Sequence, residues 1–294
     1  GDFNPEDVAI YVPVESVVPL NNSLFSFLSN PNKPNQTTSR IKAKKLRGIF
    51  SMGILVKAPE GSVVGTNMAE SLGIVKWEEP EQISMNGENE KDPGFIPQYD
   101  IESYRKYKYL IESNEEVYVS EKLHGTQFRA GYREGQLYVG SHRCIKRFNE
   151  SNLYWKAAVK YDLESKLKNH PGLVIFGEVY GSVQDLKYGC NAGEFRLAVF
   201  DLYDATHGRF LDYKDFKSTC EELNLPTVPC LYVGPFDPDK LEPLCNGKST
   251  IANNIREGWV LKPTKERWCQ EVGRVIVKLV GENYLLRSGG TEGH

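Results

Sequence analysis

Lys122 closes an alternating run, Glu116 to Ser120, and is followed by Leu123, His124 and Gly125. Alternation of apolar and polar residues marks a strand. The backbone therefore delivers Lys122 into a turn, where Gly125 permits close approach to a neighbour. A lysine is a nucleophile only as the free amine. With an ordinary pKa of about 10.4, roughly a few molecules in ten thousand are neutral at pH 7. A reactive Lys122 thus needs desolvation or nearby positive charge to destabilise its ammonium form. Two carboxylates accompany it. Glu178 lies in Val174–Gly181, an apolar run that reads as a central strand, where a carboxylate is costly unless paired or bound to ligand. Glu257 precedes Gly258 at a strand start, and Lys278 follows Val275, Ile276 and Val277, a buried strand by pattern.

Taken singly, each of these residues has an ordinary reading: a surface lysine, a strand-edge glutamate, a solvated turn glutamate, a strand-end lysine. Their order is what carries information. Lys122 with Gly125, Ser141 to Arg143, Phe176 to Gly181 with Glu178, Phe200 with Asp201, Glu257 with Gly258, and Arg274 to Lys278 follow one another in that sequence. As a set they resemble the motifs of the covalent nucleotidyltransferases, the nucleic-acid ligases and mRNA capping enzymes. The resemblance covers roughly residues 98–290 and points to an ATP-dependent RNA ligase.

That resemblance implies the following roles. Lys122 attacks the α-phosphorus of ATP, expels pyrophosphate and carries AMP; the AMP passes to a 5′-phosphate, and a 3′-hydroxyl then attacks. Glu121, Leu123 and Lys122 border the nucleotide. Glu178 binds the ribose hydroxyls, and Arg143 reaches the ribose or the reacting RNA end. Phe200 lies near the adenine, with a core role and Tyr203 as competing readings. Glu257 holds Mg²⁺ or Mn²⁺ through water. Lys278 aims at the α-phosphate as the second catalytic lysine. The family motif carries two lysines two residues apart, whereas Ile276 and Val280 occupy the flanking positions here, so Lys262 is a candidate to share the phosphate. His124 is read as an orienting or nucleotide-edge residue, since no His/Asp/Glu cluster with ligand spacing accompanies it.

Two basic stretches could face RNA. Arg143, Lys146, Arg147, Lys156 and Lys160 are interleaved with Phe148, Tyr154, Trp155 and Tyr161. Cations beside flat rings suit a groove that tracks a phosphate backbone. Arg40 to Arg47 carries five basic residues in eight. A solvated charged face is the alternative for both.

The elements that must position these groups read as an α+β pattern of antiparallel strands with helices packed outside. Strands are expected at Val117–Val119, Gln127–Tyr132, Gln136–Val139, Leu173–Val179, Phe195–Tyr203, Gly258–Leu261 and Arg274–Val280. Helices are expected at Ser151–Leu167 and Tyr213–Leu223, with another from about Asp100. The resemblance implies an adenylyltransferase, ATP-grasp-like ligase domain over 99–294. Residues 78–98, rich in acidic residues, Pro and Gly, read as a linker. Residues 1–77 hold strands broken by glycines and a short helix at Asn67–Leu72, suggesting a small β-barrel. Val8–Pro19 and Lys45–Leu55 resemble the N-terminal oligonucleotide-binding (OB) module of one RNA-ligase family. Only about three of the five barrel strands are legible, so the first strands are expected to precede residue 1.

Bulk properties agree with a globular enzyme: 294 residues, 40% apolar and 26% charged. No apolar run approaches a membrane span and no signal peptide is readable. The net charge of −3 leaves any RNA surface to local patches. Cys144, Cys190, Cys220, Cys230, Cys245 and Cys269 lack CxxC spacing and read as free thiols of an intracellular, reducing compartment. The partners expected are RNA ends or a nicked duplex with an RNA 3′-OH strand, and the chain is expected to be a monomer. The runner-up is a GTP-using capping guanylyltransferase. That enzyme and most DNA ligases place the OB module after the fifth motif, whereas 16 residues follow Lys278 here. A nucleic-acid-binding protein without chemistry is the third reading.

Overall fold

The computed structural model describes residues 3–46, 49–77 and 88–287. The chain divides into two compact units, Gly1–Ile83 and Ser84–His294.

In the first unit the strands are shorter and more numerous than the pattern suggested. Ala9–Pro13 pairs with Gly53–Lys57, Ser16–Pro19 lies between Thr38–Arg40 and Val75–Lys76, and Lys44–Leu46 pairs with Ile49–Ser51. All these pairings are antiparallel. The run Val8–Val18 breaks where Glu15 adopts a left-handed backbone, φ 67°, because no extended strand can pass through that conformation. Val12, Val18, Phe25, Ile41, Val56 and Leu72 form the core. Asn67–Leu72 is a series of turns, not a helix. Glu15 pairs with Arg40 at 2.6 Å, and the Arg40 guanidinium lies 3.4 Å from the centre of the Trp77 ring.

The second unit is built on two sheets. One has five strands in the order Cys230–Pro235, Glu116–Lys122, Gly258–Pro263, Val277–Val280, Glu102–Ser103, antiparallel except for the last pairing. The other has seven and is antiparallel throughout, with Gly125–Arg133, Leu173–Gly181 and Phe195–Asp204 at its centre. Six of the seven expected strands are present; the seventh, Arg274–Val280, splits into Gly273–Arg274, which pairs with Trp268–Cys269, and Val277–Val280 in the five-stranded sheet. Cys230–Pro235 is an additional edge strand whose residues do not alternate cleanly. The expected helix Ser151–Leu167 is two helices, Leu153–Lys160 and Leu163–Lys168. Asp162 between them has φ 51°, which ends one helix and redirects the next. The helix expected near Asp100 shrinks to Tyr104–Tyr107 and one 3₁₀ turn.

The helices cover one face of the larger sheet, where Phe128, Ala130, Ile175, Leu197, Leu202 and Phe216 are buried with Ala157, Leu163 and Leu167. Residues 78–87 of the expected linker lie outside the described residues. Residues 88–98 belong to the second unit instead: Asn89–Glu90 adds a strand to the larger sheet, and Phe95 and Ile96 are buried against Val174 and Phe176. Acidic composition hid two apolar anchors that are enough to dock the segment.

Candidate active site

Lys122 is the last residue of its strand and pairs with Gly258. Its Nζ donates to Glu257 Oε1 at 2.6 Å, and the two side chains are only 11% and 3% exposed. Glu257 is brought there by sequence adjacency to Gly258. A Cβ at 258 would lie 2.1 Å from the Leu279 carbonyl oxygen, so glycine is what lets the Val277–Val280 strand close on the residue beside Glu257. Gly125 has the same role on the facing sheet. A Cβ there would lie 2.2 Å from the Val179 carbonyl oxygen. The close approach anticipated at Gly125 is thus to the next strand, and it draws Glu178 alongside.

Glu178 pairs in register with Gln127, two residues beyond Gly125. Burial pushes its carboxyl well above the usual range; the Lys122 ammonium and the Gly125 amide oppose that, and Glu257 adds to it. One oxygen of each carboxylate, Glu178 Oε1 and Glu257 Oε2, is buried without a hydrogen-bond partner among the described residues. Two orphaned acceptors beside one ammonium form a site that lacks donors or cations, which is costly unless a ligand completes it. Among the described residues no group of three or more His, Cys, Asp or Glu is arranged to hold a metal by itself. The open oxygens of Glu178 and Glu257 are acceptors, the kind of group that water carried by a divalent cation can reach.

Lys278 lies on the same face. It pairs with Val260, which pairs with Ser120, and opposed residues share a face in antiparallel sheets. Two strand spacings and two residues along the strand put its Cα roughly 12 Å from that of Lys122. Its charge acts on His142, as does that of Arg143. His142 bonds Gln127, the partner of Glu178 in register. Arg143 is exposed in the same loop, whose main-chain carbonyl accepts from Gln98 at 3.0 Å. That loop is held from below by Arg129, fully buried, whose Nε donates to the Ser141 carbonyl at 2.7 Å.

Phe200 sits where the pairing between Phe195–Asp204 and Leu173–Gly181 slips, so that Phe176 faces Asp201 and Gly177 faces Val199. A bulge of this kind re-aims a side chain. Phe200 is half-buried between two apolar groups, one containing Leu123, Tyr180, Ala198 and Val228, the other Phe176 and Phe210. Leu123 is thus brought near it. Tyr203, the competing aromatic, packs on Phe210.

Two of the expected residues are engaged by other side chains. Glu121 points to the opposite face from Lys122, as strand alternation requires. Its Oε2 accepts from the Thr250 amide and hydroxyl at 2.8 and 2.7 Å. That oxygen anchors the loop before Glu257, and Oε1 is buried without a hydrogen-bond partner among the described residues. Lys262, the candidate to share a phosphate, is 3% exposed and bound to Asp201, itself 1% exposed. Arg274 also pairs with Asp201, at 2.7 and 2.9 Å, and with Glu266. Tyr99 donates to Asp201 at 2.7 Å. Arg274 and Lys262 hold the Asp201 carboxyl well below its usual range despite burial. Lys262 is consumed by this network, because a buried carboxylate at 201 must be neutralised and the neighbouring strands offer it two cations.

On the helical side, Arg147 and Lys156 are exposed, and Phe148 is 59% exposed, edge-on to Trp155 at 5.0 Å. Lys146 donates to Asn89 at 2.9 Å, and Lys160 donates to the Phe195 carbonyl at 2.6 Å. The last is turned onto the sheet because the helix ends there. In the first unit Lys42, Lys44 and Lys45 are exposed, whereas Arg40 is taken by Glu15 and Trp77; Arg47 lies outside the described residues.

A group around His124 is unannounced by any spacing in the sequence. His124 is fully buried; its Nε2 meets Asp185 Oδ1 at 2.6 Å and its Nδ1 meets the Tyr284 hydroxyl at 3.0 Å. Burial pulls its imidazole below the ordinary range. Arg287 binds Asp185 at 2.9 Å and stacks on the Tyr284 ring at 3.6 Å.

Comparison with known proteins gives the same reading. No curated protein matches the chain. The structure is similar to that of a Naegleria gruberi RNA ligase. A variant of it with ATP and Mn is 23% identical, with a TM-score of 0.80 over 97% of this chain and 88% of that one. An apo variant is 24% identical with a TM-score of 0.81, and a variant with AMP and Mn is 23% identical with a TM-score of 0.81, each at the same coverage. That likeness concerns the fold. The family described as RNA ligase matches residues 115–280, a span that includes Lys122, Glu178, Glu257 and Lys278, and this chain belongs to that family.

Proposed function

We propose that this RNA ligase is driven by ATP and works through AMP carried on Lys122. The observation that carries the reading is the 2.6 Å contact between Lys122 Nζ and Glu257 Oε1, inside a cleft where Glu178 and Glu257 each keep one oxygen unsatisfied. In the first step the Nζ–P bond forms at the α-phosphorus, the bond to pyrophosphate breaks, and the Nζ proton passes to Glu257 Oε1. The sequence alone suggested that Lys122 needs desolvation or neighbouring positive charge, and its side chain is 11% exposed. The neighbour is a carboxylate, placed to take the proton of Lys122.

Glu178 suits the ribose hydroxyls, whose donors would satisfy its open oxygen. Phe200 and Leu123 offer the adenine an apolar edge. Lys278 supplies charge for the α-phosphate from across the sheet, and Arg143 the reacting end. Glu257 Oε2 is where a hydrated Mg²⁺ or Mn²⁺ fits; the chemistry such an ion supplies when bound is neutralisation of charge on the phosphate oxygens. Arg147, Lys156 and the Phe148–Trp155 pair form a surface suited to an RNA end or a nicked duplex with an RNA 3′-OH strand, with Lys146 and Lys160 in lesser roles. The first unit, with its short antiparallel strands and exposed lysines, is read as an OB-like module, and the second as the adenylyltransferase domain. Six cysteines without a disulfide suit an intracellular reducing compartment. A working monomer is part of the same reading.

Incubation with α-labelled ATP or GTP, followed by a denaturing gel, tests the proposal. Label from ATP on the wild-type chain and none on Lys122→Ala is expected. Label from GTP alone would overturn it in favour of guanylyl transfer, and no label from either would remove the chemistry altogether.

A further inference from the structure

The turn that carries Arg143 is closed on itself. The Ser141 amide donates to the Cys144 carbonyl at 2.9 Å, and the Cys144 amide donates to Ser141 Oγ at 3.3 Å. One segment of chain, residues 88–100, meets this turn and the strand after it at several points. The Arg147 amide donates to the Glu88 carbonyl at 2.7 Å, Lys146 pairs with Asn89, and the Gln98 side-chain amide donates to the Arg143 carbonyl at 3.0 Å. Arg129, buried beneath, joins turn and segment by donating to the Ser141 carbonyl at 2.7 Å and to the Ile96 carbonyl at 3.3 Å. Resting on the reading of Arg143 above, we propose that Gln98 is a positioning residue: its hold on the Arg143 carbonyl sets the guanidinium for the 5′-phosphate of the reacting RNA end.

Gln98 can act as a rigid arm because its neighbours in the chain are anchored. Phe95 and Ile96 are buried against Val174 and Phe176. The Tyr99 ring packs edge-on to Phe176 and Phe210 at 5.4 and 5.0 Å, and its hydroxyl donates to Asp201 at 2.7 Å. An exposed glutamine beside such anchors transmits the position of the sheet to the tip of a turn 45 positions away. An arginine that binds phosphate through its planar fork depends on direction as well as charge, and a misplacement of about 1 Å in a positioning group is costly to rate. The nucleotide side of the turn has an anchor of its own. His142 Nδ1 meets Gln127 Oε1 at 2.5 Å, and Gln127 pairs in register with Glu178. Loss of the Gln98 tie therefore reaches Arg143 and leaves the ribose side in place. The effect falls on transfer of AMP to the RNA end and spares formation of the Lys122 adduct.

Gln98→Met keeps the length of the side chain and removes the donor. Mixing the protein, already labelled on Lys122, with 5′-phosphorylated RNA reads the transfer step alone. Gln98→Met should slow that transfer about fivefold, the effect of losing one hydrogen bond. Its rate of Lys122 labelling and its half-saturating ATP should stay within about twofold of wild type. In an Arg143→Ala background the same change should slow transfer by less than about twofold, because no guanidinium is there to misplace. Transfer by Gln98→Met within about twofold of wild type overturns the proposal, as does an equal loss in labelling, or a loss that persists in full without Arg143. Arg143→Ala alone separates the two readings. If it transfers AMP at the wild-type rate, the reading of Arg143 has failed and this role of Gln98 falls with it. If it is slow while Gln98→Met is not, Gln98 alone is removed. Hydrogen exchange needs no activity: the peptide spanning 141–147 should exchange faster in Gln98→Met, and exchange equal to wild type overturns the tie.

Discussion

Replacing Asp201 with Asn separates a structural reading of Lys262 from a phosphate-binding one. The network contains two acids, Asp201 and Glu266, and two bases, Lys262 and Arg274, all of them at most 8% exposed. Its charges balance. Asp201→Asn leaves both bases against Glu266 alone, one uncompensated positive charge in the interior. Breaking a buried pair in this way costs about 3–5 kcal/mol. Asp201→Asn with Lys262→Met restores the balance between Arg274 and Glu266 and should recover most of that loss. The assay is urea unfolding followed by tryptophan fluorescence, for which fully buried Trp259 in the same unit is a reporter. The sign of the pH dependence is fixed by the depressed Asp201 carboxyl. Below its usual value the unfolded chain binds the proton more readily than the folded one, so the stabilisation is present above about pH 4 and is lost as pH falls further. The gap between wild type and Asp201→Asn should narrow over that acid range. An Asp201→Asn cost below about 1 kcal/mol, or a double variant as unstable as the sum of its parts, would refute the reasoning. So would loss of Lys122 labelling in a double variant that remains folded.

Glu178→Gln is expected to stabilise the free protein and abolish nucleotide capture. A raised carboxyl keeps its proton longer in the folded state, so wild-type stability declines as pH climbs above the ordinary glutamate value. Removing that charge should raise stability by about 1 kcal/mol at neutral pH, with no gain near pH 4. Equal melting of both proteins at neutral pH would count against it. For the RNA surface, Arg147→Ala and Lys156→Ala should each flatten the dependence of log affinity on log salt by about 0.7–0.9. Phe148→Ala should weaken RNA binding by about 1–3 kcal/mol without changing that slope. An unchanged slope in both basic variants would move the RNA to another surface.

Much of the second unit could be read from the chain because its strands obey simple alternation, and because residues that act together occur in a fixed order. Lys122, Glu178 and Glu257 meet as the motif order implied. What could not be read is which buried charges satisfy one another. Nothing in the local sequence distinguishes Lys262, which answers Asp201, from Lys278 one strand away. Glu121 adjoins the nucleophile in sequence yet faces the other way, a consequence of the pleat that motif lists ignore. The Asp162 break and the Cys230–Pro235 edge strand were equally silent, since a left-handed aspartate and a half-solvated strand leave little trace in apolar periodicity. Asp185, Tyr284 and Arg287 reach His124 from 61 to 163 positions away, a separation at which spacing carries no signal.

The clamp between Lys122 and Glu257 has a consequence for the idle enzyme. Free amines in apolar clefts are easy prey for aldehydes and activated acyl groups, and one such adduct would end a ligase's working life. A lysine whose Nζ is in contact with a carboxylate, with nine-tenths of its side chain covered, is hard for these reagents to reach. On the role proposed for Lys122, the contact that opens for sealing also shields the enzyme at rest.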